Sequence, residues 1–205
     1  MPELSNIQTD ERIDGTNFRP TLDRFCNVLK SIGLWNNEIK EAFNSCEWKA
    51  EDNGFDFSAM AELGYFVSKL SGVKIRPLVM IYSSFIGETF KDNWISCTLL
   101  IEAEELRSFA DGQFHAYTYD LVKALSFEMQ KEFKNSGIYF TDEWQDGSDF
   151  DGIRCNNLSK LWQFDYAVIP LTLEKVYSNK PVTHNIKKHD NYFEAIYITR
   201  WKEKS

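Results

Sequence analysis

The sequence is poor in the residues that announce a chemistry. Its 205 residues include three histidines, four cysteines, ten glycines and five prolines. His115, His184 and His189 are therefore the whole supply of side chains that titrate near neutrality when unperturbed. Cys26, Cys46, Cys97 and Cys155 form no CxxC pair, so the ligand spacing of a structural zinc site is missing. Little glycine and proline excludes collagen-like and low-complexity chains. The longest uncharged hydrophobic window covers residues 77–87. A membrane-spanning helix needs roughly 18–20 such residues. Residues 1–14 carry neither a basic start nor an apolar stretch, so no signal peptide is read there and a cytoplasmic location is expected. In a reducing compartment Cys26, Cys46 and Cys97, each among apolar residues, are expected as buried thiols.

Familiar catalytic spacings are also missing. No GxGxxG or GxxxxGK[ST] loop occurs, and no GxSxG elbow. His184 and His189 are five residues apart, which is not the HExxH spacing that sets two imidazoles on one helix face. No cofactor and no metal is expected.

What is present is a core and a polarised charge. Sixteen Phe, nine Tyr and six Trp can bury a large interior, which excludes a disordered chain. The net charge is −8, and residues 102–151 carry all of it, with twelve acids against four bases. The remaining residues balance at 19 against 19. An acidic chain without clustered Lys and Arg is not expected to bind nucleic acid.

Residues 1–17 read as a loose N-terminal segment. Pro20 suits a first helical turn, and Leu22, Phe25, Leu29 and Ile32 recur at helical spacing up to a cap at Gly33. Asn36 is a candidate cap for a second helix bearing Ile39, Phe43 and Cys46. Met60, Leu63, Val67 and Leu70 suggest a third, closed by Gly72. Residues 74–103 then read as an antiparallel hairpin, with period-two alternation over 94–103. A long amphipathic helix is expected at about 119–135, capped by Thr118, striped by Val122, Leu125, Met129 and Phe133, and ended by Gly137. Strands are expected at 138–141, at 166–173 with Pro170 near an edge, and at 192–201, while 175–190 reads as a polar loop. This order predicts an α+β fold: N-terminal helices packed on a mixed or mainly antiparallel sheet, with one long amphipathic helix. The natural division is a helical lobe at 18–72 and an α+β body at 73–205, forming one continuous unit.

The most distinctive stretch is the acidic loop that starts at Asp142. Laid on the EF-hand template through Asp149, Asp151 and Gly152, it puts Gly147 at the first ligand position and Leu158 at the last, so the template fails. Its acids Asp142, Glu143, Asp146, Asp149 and Asp151, with Trp144 and Phe150 among them, suit an interaction surface. Glu128 and Glu132, four apart on the long helix, are candidates for the same surface. The expected function is a non-enzymatic acidic protein that binds a basic protein partner, of the kind by which an immunity protein neutralises a toxin. The alternative is a carboxylate-based, metal-assisted hydrolase of a small or phosphorylated substrate. Cys155 with His115 is a remoter nucleophile pair.

Overall fold

The computed structural model describes residues 3–47, 57–59, 63–82, 92–108, 110–142, 153 and 158–201. The fold is α+β and mainly sheet. Strands β1 (Leu4–Arg12), β2 (Phe57–Ala59), β3 (Phe66–Val67), β4 (Lys74–Tyr82), β5 (Trp94–Glu102), β6 (Ile138–Thr141), β7 (Tyr166–Pro170), β8 (His184–Lys188) and β9 (Tyr192–Tyr197) form one antiparallel sheet. Its order is β2-β4-β5-β1-β6-β7-β9-β8, and β3 also pairs with β4.

Residues 4–12, expected to be loose, form β1 in the middle of this sheet, paired to β5 along its whole length and to β6. The strand Leu-Ser-Asn-Ile-Gln-Thr-Asp-Glu-Arg has too few apolar residues to show a hydropathy period. Ser5, Asn6, Gln8 and Thr9 are nevertheless buried, and the strand has a paired neighbour on each edge. Backbone pairing, not side-chain hydrophobicity, holds it in place.

Helices α1 (Arg19–Ser31), α2 (Asn37–Asn44) and α3 (Thr118–Glu132) complete the described elements with three short 3-10 turns. Pro20 sits in the first turn of α1, and Gly33 follows its end at φ 74°, where a side chain would be strained. The Asn36 side chain accepts a 2.9 Å bond from Ile39 N–H and caps α2. The expected third helix is absent from its described part. Phe66–Val67 is a strand, Val67 and Leu70 are exposed, and Gly72 at φ 74° closes the tight turn into β4. Met60 lies outside the described residues.

The hairpin of β4 and β5 is present, with Ile75 opposite Ile101 and Tyr82 opposite Trp94. Pro77 is tolerated in β4 because β3 covers residues 74–75 and β2 covers 80–82, and Pro77 falls between them. Pro170 ends β7; β6 has already stopped opposite Val168, so Pro170 has a strand neighbour on one side. Residues 184–188, expected in a loop, form the edge strand β8. Its alternation of His, Asn, Ile, Lys and Lys is that of a strand with one solvated face.

Helix α3 is 15 residues long against 13 in α1, so it does not stand apart as one long helix. Its stripe of Val122, Leu125, Met129 and Phe133 is fully buried. Thr118 is not its cap; Thr118 Oγ1 donates to Leu106 O at 2.6 Å, and Tyr117 occupies the capping position. Phe133 leaves helical geometry before Gly137 is reached. A Cβ at Gly137 would stand 2.0 Å from the Tyr139 hydroxyl, so glycine is required there by close packing and not by helix termination.

Alternation along the strands divides the interior. One face packs on α1 and α3 in a cluster that joins Ile7, Phe25, Leu99, Met129, Phe140 and Val168. The other, outer face carries a second cluster of Tyr139, Phe164, Tyr177 and Phe193, roofed partly by Leu161, Leu171 and Leu173. The cluster on the helix side draws on residues from 1–17, 18–72 and 73–205 together. Cys26, Cys46 and Cys97 lie buried in it as thiols, and none is bridged. Burial pushes the Cys26 thiol up to about 11.

Candidate functional site

Of the acidic loop only Asp142 can be located. Glu143, Trp144, Asp146, Asp149, Phe150 and Asp151 lie outside the described residues, as does Cys155. Asp142 is fully buried at the end of β6. Its N–H donates to Asp165 Oδ2 at 2.8 Å, and Ser5 Oγ donates to its carbonyl oxygen at 2.8 Å and to Oδ1 at 3.1 Å. Arg107 Nε stands 3.5 Å from Oδ1 and Arg200 Nη2 stands 2.6 Å from Oδ2. The Arg200 contact is a close ion pair without the alignment of a hydrogen bond. Arg200 Nε is also 3.5 Å from Asp165, and Trp201 Nε1 donates to Asp165 O at 2.9 Å. Two carboxylates thus meet two guanidinium groups inside one buried junction. With no exposed surface, Asp142 offers nothing to a partner. It ties β6, the start of β1 and residues 200–201 together.

Glu128 and Glu132 do not merge with that junction. Glu128 pairs with Lys131 one turn on, and Glu132 accepts a 3.4 Å bond from Asn27 on α1. Among the described residues of the acidic stretch, Glu104, Glu105 and Asp111 lie in the connection from β5 to α3. There Leu106 O accepts from His115 N–H, Ser108 N–H donates to Gln113 O, and Arg107 bridges to Phe114. Tyr117 Oη donates to Glu105 O at 2.6 Å, and His115 Nε2 lies 3.4 Å from Glu104 O with its ring stacked on Tyr117. This knot carries exposed Glu104 and Asp111 and half-exposed Glu105, and its Tyr117 is 48% exposed. Glu102 and Asp120 flank it. Arg107, the one basic residue between 102 and 122, turns inward to Asp142 and to Glu3.

A second polar cluster had no signal in motif or spacing. Glu194 on β9 is 1% exposed and shares the helix-side face with Tyr166 of β7. Tyr166 Oη donates to Oε2 at 2.8 Å, Lys123 Nζ of α3 stands 2.7 Å from the same oxygen, and His189 Nε2 donates to Oε1 at 2.7 Å. Burial drives the Glu194 carboxyl up, but the hydrogen bonds from Lys123, Tyr166 and His189 and the Lys123 charge outweigh it, leaving the group below its ordinary value. Burial and the neighbouring Glu194 hold the Tyr166 hydroxyl protonated far above its ordinary range. The only sequence hint is an acid in the buried phase of the alternating strand 192–197.

His184, the remaining histidine, is buried on β8. Its Nε2 donates to Phe164 O at 3.1 Å, and burial lowers its pKa. Among the described residues no group of three His, Cys, Asp or Glu side chains could hold a metal. No helix among them is long and apolar enough to cross a membrane.

The outer face of the sheet holds a cavity of about 290 Å³. Trp94, Tyr139, Phe164 and Tyr177 supply aromatic walls, and Asp10 and Glu11 supply carboxylates. Tyr177 Oη donates to Tyr139 Oη at 2.8 Å within it. The chain matches no protein-family model and no curated protein.

Proposed function

We propose that this chain is a non-enzymatic protein that binds a basic protein partner through an acidic face, as an inhibitor or immunity protein does. The observation that carries the reading is the knot between β5 and α3. Exposed Glu104 and Asp111 and half-exposed Glu105 lie on the same short connection as exposed Tyr117, whose hydroxyl donates to Glu105 O. Their nearest base in sequence, Arg107, faces inward to acids of its own. An exposed aromatic side chain on a connection whose exposed acids share one sign of charge combines an anchor with a steering field. The loop at 143–151 remains part of the proposal on its composition. Asp142 does not, since it is buried.

The hydrolase alternative gains nothing from the acids that do converge. Asp142 and Asp165 are matched by Arg107 and Arg200, which suits a fixed junction and not proton exchange with a substrate.

The test uses the product of the adjacent reading frame as the candidate partner. The complex is expected to form. The combined substitution E104Q/E105Q/D111N is expected to slow association about tenfold at low salt and to leave it nearly unchanged at high salt. Y117A is expected to raise the dissociation rate. Association indifferent to these substitutions and to salt, or no association at all, counts against the reading.

A further inference from the structure

We propose that the cavity on the outer face of the sheet binds a small neutral aromatic molecule of one or two rings, enclosed by Trp94, Phe164, Leu173 and Tyr177. The site is separate from the acidic knot and stands whether or not that knot meets a partner.

The two flanks of β7 build the site. Across β6, β7 and β9 the outer face runs Tyr139, Ala167, Ala195 in register. Two alanines in the sheet leave room above them. Leu161 and Phe164, before β7, and Tyr177, after it, pack over this row. The space that remains lies toward the end of β1 and the starts of β5 and β6, where Trp94 and Gly137 line it. Tyr139 is fixed at this wall by its contact with Gly137, where a Cβ would clash with the hydroxyl. The Tyr139 and Phe164 ring centres are 5.7 Å apart, and Tyr177 is 6.5 Å from each. These are the spacings of tilted and offset aromatic pairs, so a further ring can join the group on the same terms.

The charge balance of the lining decides what kind of ring. Glu11 is bound by Arg24, Thr21 and Ser136. Arg12 pairs with Asp92 at 2.8 Å and is 66% exposed, so it is directed outward. Asp10 is engaged as well, with Gln8 Nε2 3.5 Å from its Oδ2. The Tyr139 and Tyr177 hydroxyls bond to each other at 2.8 Å, and burial keeps both protonated. A charged ligand would therefore give up its water and gain no counter-ion, whereas a neutral apolar one gives up little. Aromatic walls beside matched charges select a neutral ring. A cavity of about 290 Å³ has the volume of about ten water molecules, which suits one ring or two fused rings.

The probe is 3-ethylindole, with tryptamine and indole-3-acetate as cationic and anionic counterparts of similar size. Calorimetry on the intact chain is expected to show 3-ethylindole binding about tenfold or more tighter than either charged compound. L173W, which fills the cavity without touching a charge, is expected to remove that binding. If L173W does not fold, the wild type decides the matter: nuclear Overhauser contacts are expected from the indole protons to the methyl groups of Leu161 and Leu173. No binding of 3-ethylindole, equal or tighter binding of a charged counterpart, binding that survives L173W, or contacts at other residues in place of Leu161 and Leu173 overturns the proposal.

Discussion

Arg200 reaches back to Asp142 across 58 positions of sequence, its Nη2 2.6 Å from Oδ2 in a site where Asp142 has no solvent exposure. The pair fixes residues 200–201 to the end of β6. Trp201 then completes the helix-side core beside Phe114 and Tyr119.

Removing one side of such a pair strands a buried charge. Asp142→Ala is expected to destabilise the chain by about 3 kcal/mol or more in urea unfolding, and to leave partner association unaffected once corrected for the unfolded fraction. Replacing both residues, with Asp142→Leu and Arg200→Met, is expected to recover most of the loss. A cost below about 1 kcal/mol for the single variant would place Asp142 in the class of exposed ion pairs instead.

Glu194 gives the fold a defined acid sensitivity. Its folded carboxyl lies below the ordinary 4.5, so the folded state binds fewer protons than the unfolded one there. The stabilisation is complete above 4.5 and is lost as pH falls through the folded value. Unfolding free energy measured against pH should therefore decline more steeply in this acid range for the wild type than for Glu194→Gln. Tyr166→Phe, which deletes the 2.8 Å bond to Oε2, is expected to cost about 1.5 kcal/mol at neutral pH. Parallel pH curves for the wild type and Glu194→Gln would disprove the role assigned to the cluster.

The three located cysteines should be inert in the native state. With Cys155→Ser as background, Cys26, Cys46 and Cys97 are expected to react with a thiol reagent at pH 8 only after denaturation, because all three are buried and the Cys26 thiol is held up at about 11. Rapid labelling of the folded chain would show that the helix-side core opens readily.

Elements with a strong local period were legible. The Leu22, Phe25 and Leu29 stripe of α1, the Asn36 cap, the β4–β5 hairpin and the stripe of α3 all follow from neighbours within a few residues. Failures occurred where the period was weak or the cause was distant. Polar β1 is a strand because β5 and β6 supply its bonds. The stretch 63–70 carries helical spacing, but pairing of Phe66 with Ile75 overrides it. Polar β8 is held by β9 on one edge alone.

The site followed the same division. Composition placed the negative charge between residues 102 and 151, and Glu104, Glu105 and Asp111 of that stretch lie on the connection that carries Tyr117. Composition could not say which acids face solvent. Asp142 and Glu194 look like surface residues in one dimension, yet the sheet buries both against cations from other elements. By itself the sequence determined an α+β chain with a large aromatic core and one charged quarter, because composition and local period act over a few residues. Tertiary structure alone decided that a polar segment is the central strand, which acids are neutralised inside, and that Asp10 meets an aromatic cavity. Those outcomes depend on charges and backbone groups brought together from far apart in the chain.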